Sequence, residues 1–246
     1  MIPKQESEDT DMECVREPVT VMKRYEWKFI LSAEQTDFFC ERLKGYMEPD
    51  AYGLTTISSL YYDTPDRQLI RTSVEKPEFK EKIRLRAYGQ ADENTPVYLE
   101  LKRKASGLVY KRRVRTTVPE AEGFLAGGEG MDGNGQIGRE ITYFRNYYRM
   151  LVPSCMILYD RTAYYEPDGD LRLTIDRNPR YRTGQLRFDT APVGLPLLNP
   201  GETILEVKVQ DTIPLWLVRI LSDGKIRHGS ISKYGEAYRR QLMGTP

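Results

Sequence analysis

Eight segments of the chain alternate in the two-residue period of a β-strand: 23–31, 56–63, 80–88, 96–104, 109–118, 155–165, 171–177 and 202–209. In seven of them one parity is apolar and the other is charged. KIRLRAY at 82–88 sets Lys82, Arg84 and Arg86 on one face and Ile83 and Leu85 on the other. The same split puts Arg24, Glu26 and Lys28 on a polar face, as it does Glu100, Lys102 and Lys104, and Lys111, Arg113 and Arg115. Tyr159 with Arg161, Arg172 with Thr174 and Asp176, and Glu206 with Lys208 complete the set, while Leu99, Leu101, Leu158, Leu171, Leu173, Ile175, Leu205, Val207 and Val209 take the opposite parity. Two cations about 6 Å apart repel by roughly 3 kcal/mol at an effective dielectric near 20, so a partly buried face of this kind calls for anions opposite it.

A solvated sheet face carries a mixture that includes Ser, Thr, Asn and Gln. Here the polar face is almost wholly Lys, Arg, Glu and Tyr. The fold expected is α+β: an eight-stranded antiparallel β-barrel with its charged faces turned inward as a tunnel and helices packed outside on the apolar faces, the alternative being an antiparallel sheet with helices on its apolar side and its charged side in water. Ala105-Ser106-Gly107-Leu108 and the turn around Asp168-Gly169 predict two hairpins. Helices are predicted over Ala33 to about Tyr46 with Ser32 as N-cap, Ile137 to Leu151, Pro214 to Leu221 and Ser232 to Leu242. The glycine-rich stretch 127–138 lacks a P-loop's Lys-Ser/Thr ending and an EF-hand's spacing, and is read as a connection. Residues 1–19, with six acids, two bases and two prolines, read as a disordered or loosely attached tail, and 20–246 as one domain.

Charge and composition narrow the function. Across 246 residues, 37 Lys and Arg oppose 36 Asp and Glu for a net charge of +1, which argues against a general nucleic-acid binder. Between 80 and 115, however, eleven bases meet four acids, so the cations are segregated. Three scattered cysteines and one histidine, His228, give neither a zinc site nor a disulfide framework, and His228 is the one histidine open to a nucleophile triad. No apolar run is long enough to span a bilayer and the N-terminus is acidic, so a cytoplasmic protein is expected. An inward ring of Arg and Lys suits a polyanion with closely spaced charges, because guanidinium forks bind phosphate oxygens bidentately. The acids on the same faces, Glu26, Glu100 and Glu206, are either salt-bridge partners or holders of Mg²⁺ or Mn²⁺ against phosphate oxygens.

Nine motifs in order, RYEWKF, SLYYDT, KIRLRAY, YLELKRK, YKRRV, YDRTAYY, LRLTIDR, ILEVKV and SKYGEAY, resemble the catalytic domain of the vacuolar transporter chaperone family. That domain is a polyphosphate polymerase of the triphosphate tunnel metalloenzyme superfamily. The resemblance, over about residues 21–240, implies ATP as phosphoryl donor, a growing inorganic polyphosphate chain and a divalent metal, manganese in preference to magnesium. It implies phosphate contacts from Lys28, Arg84, Arg86, Lys102, Lys111, Arg161, Arg172, Lys208 and Lys233, with Arg24 lining the tunnel beside Lys28. Tyr159 and Ser232 would lie along the phosphate path, and Arg84, Arg86, Arg161 and Lys208 would act on the transferring group. Glu206 would hold the metal, with Glu100 as a second candidate. Lys82 shares the face of Arg84 and Arg86 but is not singled out by the resemblance.

The family's eukaryotic members add an inositol-phosphate-sensing domain and a membrane domain. Neither pattern occurs in these 246 residues, so coupled export is not implied and a membrane partner is left open. Arg24-x-Glu26-x-Lys28 also departs from the Glu-x-Glu-x-Lys signature of the superfamily's hydrolytic branch, which favours a polymerase over a two-metal triphosphatase. A tunnel triphosphatase and a non-catalytic polyphosphate-binding module are the competing readings. A single-strand nucleic-acid binder, suggested by 17 tyrosines, is the weakest.

Overall fold

The computed structural model describes residues 25–106 and 108–244. The expected acidic tail and Arg24 therefore lie outside the described residues. The chain runs β1 (Tyr25–Leu31), α1 (Ala33–Leu43), β2 (Glu48–Pro49), β3 (Thr55–Asp63), α2 (Gln68–Glu75), β4 (Lys80–Tyr88), β5 (Val97–Ala105) and β6 (Leu108–Thr116). It continues through α3 (Val118–Leu125), a 3₁₀ turn (Asp132–Asn134), α4 (Gly135–Tyr148), β7 (Val152–Tyr165), β8 (Arg172–Arg182) and β9 (Leu195–Pro196). The last elements are β10 (Thr203–Val209), α5 (Leu215–Asp223), β11 (His228–Gly229) and α6 (Lys233–Leu242).

All eight predicted strands form, and both predicted hairpins pair as antiparallel neighbours, β5 with β6 and β7 with β8. The sheet is antiparallel throughout and ordered β11-β1-β10-β8-β7-β3-β4-β5-β6, with two-residue strands β2 and β9 attached to β7 and β8. Among the described residues it has eleven strands and is not closed by hydrogen bonds, which corrects the expected eight-stranded barrel. The reason lies at the edges. Closure would need β6 on the free edge of β1, but that edge is taken by β11, which pairs Gly229 with Lys28 and His228 with Phe29. Lys111, Arg113 and Arg115 along β6 are exposed, and charges on an edge strand disfavour further pairing. The sheet nevertheless curls: Lys102 on β5 reaches Glu26 on β1, two strands from opposite ends of the order, with 3.9 Å between their charged atoms.

The parity is as predicted. On the convex side Ile83, Leu85, Leu99, Leu101 and Val114 are buried with Phe124 and Leu125 of α3 and Ile141 and Phe144 of α4. At the other end of the sheet Leu173, Ile175, Leu205 and Val207 are buried with Phe39 and Leu43 of α1 and Leu217 and Ile220 of α5. Each of these side chains contributes about 1.5–3 kcal/mol of burial, so the convex face supplies most of the core. Capping boxes start two of the helices: Ser32 with Gln35 for α1, and Thr117 with Glu120 for α3.

One helix departs from the expectation that all pack outside. α6 lies in the concavity, where Tyr234, Ala237 and Tyr238 are buried with Ile57 and Tyr61 of β3 and Cys155, Ile157 and Tyr159 of β7. Tyr234 stacks on Tyr61 with ring centres 4.3 Å apart, and its hydroxyl donates to Asp63 and meets Ser154, each at 2.9 Å. The concave face is thus apolar where α6 plugs it and charged elsewhere. Among the described residues no helix is long and apolar enough to cross a membrane.

Candidate functional site

Strand register carries the charged residues across the concave face in rows. Lys28 stands opposite Glu206 and Glu206 opposite Thr174, while Glu26 pairs with Lys208 and Lys208 with Arg172. Asp176 faces Arg161 on β7. On the other half Tyr61 and Ser59 face Arg84 and Arg86, Arg84 faces Glu100, Glu100 faces Arg113, and Lys82, Lys102 and Lys111 form a row. The bend from β11 into α6 then lowers Ser232 and Lys233 into the same space.

Two carboxylate centres organise this face. Glu206 lies 3.3 Å from the ammonium groups of Lys28, Lys208 and Lys233 and 3.5 Å from Arg161. Burial by itself would push its carboxyl up; Lys233, Lys28, Lys208 and Arg161 together hold it well below the usual carboxylate range. Asp176, whose side chain is 0% exposed, accepts from Arg161 Nε at 2.6 Å and Nη2 at 2.8 Å and is paired with Lys233. It too is lowered, because Lys233 and Arg161 outweigh its burial. Glu100, 2% exposed, accepts from Arg84 Nε and Nη2 at 2.9 and 2.7 Å, from Arg113 Nε at 2.8 Å and from Lys111 at 2.8 Å. Arg86 lies 3.8 Å from it, and Arg84, Arg86 and Lys111 override burial to hold its carboxyl far down.

Tyrosines complete the lining. The Tyr159 ring lies under Arg161 at 5.0 Å and Lys233 at 4.6 Å, and its hydroxyl accepts from Arg86 at 3.2 Å. Burial raises the Tyr159 phenol, but Arg86, Arg161 and Lys233 bring it below the usual tyrosine value. Arg84 donates to the Tyr61 hydroxyl at 2.9 Å, and Arg172 lies over the Tyr165 ring at 5.5 Å. Ser232 caps α6 by accepting from the Gly235 N–H at 3.2 Å, and accepts from Lys82 at 3.1 Å.

Lys28, Arg84, Arg86, Lys102, Lys111, Tyr159, Arg161, Arg172, Lys208, Ser232, Lys233 and Glu206 are therefore all placed on one concave face, as is Glu100. Glu26 bridges Lys28 at 3.2 Å and Lys102. His228 is exposed in β11, edge-on to Phe29 and apart from this face. Asp176, Arg113 and Thr174 also belong to this face without having been among the candidates read from the sequence. The alternation had put all three on the right face. Nothing in sequence said that Asp176 would be the most deeply buried acid of the site, or that the Thr174 hydroxyl, beside Glu206, would be buried with no hydrogen-bond partner among the described residues.

Comparison with known proteins follows this geometry. Residues 23–241 match the family described as VTC domain. The chain belongs to that family. No curated protein matches the sequence. Among solved structures, a Bacillus halodurans protein proposed to be an adenylate cyclase aligns with TM-score 0.52 at 15% identity, covering 86% of this chain and 96% of its own. A Hippeastrum protein proposed to be an adenylyl cyclase, and described as revealing a dominant triphosphatase activity, aligns with TM-score 0.51 at 18% identity, covering 92% and 97%. At these identities the likeness establishes a shared fold.

Proposed function

We propose that this VTC-domain protein is an ATP-dependent polyphosphate polymerase, transferring the terminal phosphoryl group of ATP to a growing inorganic polyphosphate chain held on the concave face. One observation carries the reading: the predicted cations converge on that face, crowded around four carboxylates that cannot neutralise them all. A phosphate chain supplies the missing negative charge, and its oxygens accept the charge-assisted, bidentate bonds that guanidinium groups make.

In this reading the ATP phosphates lie between the Arg84–Arg86 side and the Arg161–Lys208 side. Phosphoryl transfer needs little from the protein beyond alignment and charge stabilisation, which preorganised guanidinium and ammonium groups provide. Lys28, Lys102, Lys111, Arg172 and Lys233 would hold the remaining phosphates, with Ser232 and Tyr159 donating hydrogen bonds along the path. Arg24 is assigned to the same end as Lys28 on the resemblance alone.

The donor set decides how a divalent metal, Mn²⁺ or Mg²⁺, would be held. Among the described residues no three Asp, Glu, His or Cys come together as a cage. Such ions bind through one or two carboxylates with phosphate oxygens completing the shell, and Glu206 fits that mode with the Thr174 hydroxyl beside it, which has no hydrogen-bond partner among the described residues. Glu100 fits it less well: Arg84, Arg113 and Lys111 hold its two oxygens at 2.7 to 2.9 Å, whereas the cations around Glu206 stand off at 3.3 to 3.5 Å. When bound at Glu206, the ion would offset charge on the transferring phosphates. The protein's own residues align the donor and the acceptor end and screen both from water.

The description of the Hippeastrum neighbour favours a second reading, a triphosphatase on the same face. Incubating the protein with ATP and Mn²⁺ separates the two. Lengthening polyphosphate with stoichiometric ADP is expected; orthophosphate release without chain growth overturns the polymerase in favour of the hydrolase.

A further inference from the structure

Lys82 differs from the other lysines of the site in what surrounds it. Lys28, Lys102, Lys111, Lys208 and Lys233 each reach a carboxylate within 4 Å. Among the described residues no carboxylate lies within that distance of Lys82, whose ammonium touches Ser232 and stands 5.8 Å from the Tyr234 ring. It is half-buried between cations: Lys80 and Arg84 on its own strand, Lys102 directly across on β5 and Lys28 from β1. The ten-residue helix α6 begins at Ser232 and adds the partial positive charge of its N-terminus. Of these cations Lys28 and Lys102 are bridged by Glu26 and Arg84 is paired with Glu100, while Lys82 is left without a carboxylate of its own among the described residues, facing its neighbours' positive charge.

We propose that Lys82 is a phosphate-contacting residue that takes up a proton as the phosphate chain binds, making binding itself pH-dependent near neutrality. This rests on the phosphate-chain reading of the concave face. Burial, Lys102, Lys80, Lys28 and Arg84 lower the Lys82 ammonium to about 7, so a substantial share of molecules carry it neutral at physiological pH. A phosphate set among Lys82, Lys102 and Arg84 reverses the sign of the local field and favours the ammonium. The lysine takes its proton from solvent and donates it as a hydrogen bond to a phosphate oxygen; no covalent bond forms or breaks. The sign follows: a group whose value rises on binding weakens the complex as pH climbs above its free value.

Calorimetric titration with sodium tripolyphosphate, without metal, over pH 6 to 9 tests this on the wild type, Lys82→Arg and Lys82→Met. Comparing variants cancels the titration of the ligand and of Lys111, which burial and neighbouring Arg113 and Arg86 lower to about 8. Above pH 7 the wild-type affinity is expected to fall relative to Lys82→Arg by up to about tenfold per pH unit, with an extra fraction of a proton absorbed in buffers of different ionisation enthalpy. Lys82→Met is expected to bind more weakly than wild type at pH 6 and to converge on it at pH 9. Parallel profiles for wild type and Lys82→Arg would overturn the role of Lys82 while leaving the site intact. Failure of all three proteins to bind tripolyphosphate would overturn the phosphate-chain reading and this inference together.

Discussion

Glu100→Gln removes the negative charge at the centre of the Arg84, Arg86, Lys111 and Arg113 cluster while keeping the shape of the side chain. Breaking a buried ion pair on one side costs about 3–5 kcal/mol. Here Lys111 and Arg113 remain 46% and 38% exposed, so water recovers part of the loss, and about 2–3 kcal/mol is expected. For a chain of this size 1 kcal/mol moves Tm by roughly 2–4 °C, so the melt should drop by about 4–12 °C. Tripolyphosphate should return more stability to the variant than to the wild type, because the anion replaces the lost charge and no longer meets a carboxylate beside it. Acid offers a second check. The folded Glu100 carboxyl is held far below its unfolded value, so its contribution is present above about pH 4.5 and is lost as pH falls further. Wild-type stability should therefore decline more steeply than that of the variant below that pH. Equal melting temperatures, or equal rescue by tripolyphosphate, would refute the account of Glu100 as a neutralising pillar under a phosphate site.

Arg161→Lys keeps a charge but loses the two-pronged bond to Asp176, and should lower kcat with ATP by about tenfold or more while the fold melts within a few degrees of wild type, as steady-state kinetics and calorimetry would show. Tyr234→Phe deletes the hydroxyl that joins α6 to Asp63 and Ser154 and should cost about 1–3 kcal/mol in urea unfolding, with α6 exchanging its amide protons sooner than the convex core. The Cys155 thiol, pushed up to about 12 by burial, should resist alkylation in the native protein, which mass spectrometry after iodoacetamide treatment would show.

The sheet was legible because it is inverted in a regular way. A convex face that must meet helices keeps Leu and Ile at every second position, and 80–88 is bounded in the structure as the alternation bounds it. Helices were legible where a cap announced them. Ser32 and the apolar stripe behind it served that purpose for α1, though α4, α5 and α6 were read without a cap. α3 was missed although Thr117 and Glu120 form its capping box, because the alternation of β6 was followed two residues too far. α2 gave no such signal: Arg67 precedes it in a left-handed conformation at φ 61° with no capping bond from its side chain, and the helix N–H groups of Leu69 and Ile70 are instead satisfied by Asp63, six and seven residues upstream. The site followed the sheet. Parity delivered which residues share a face, but not the burial of Asp176, the insertion of α6 or the isolation of Lys82, since each depends on an element packed from elsewhere in the chain. The failure of the sheet to close has the same origin, a two-residue strand too short to leave a pattern.

The most direct test is a structure of the protein with tripolyphosphate and Mn²⁺. The account predicts a phosphate chain along the concave face in contact with Arg84, Arg86, Arg161 and Lys208, with the ion between Glu206 and phosphate oxygens. An anion bound only on the convex or outer surface, or a concave face that stays closed on its own salt bridges at saturating ligand, would contradict it.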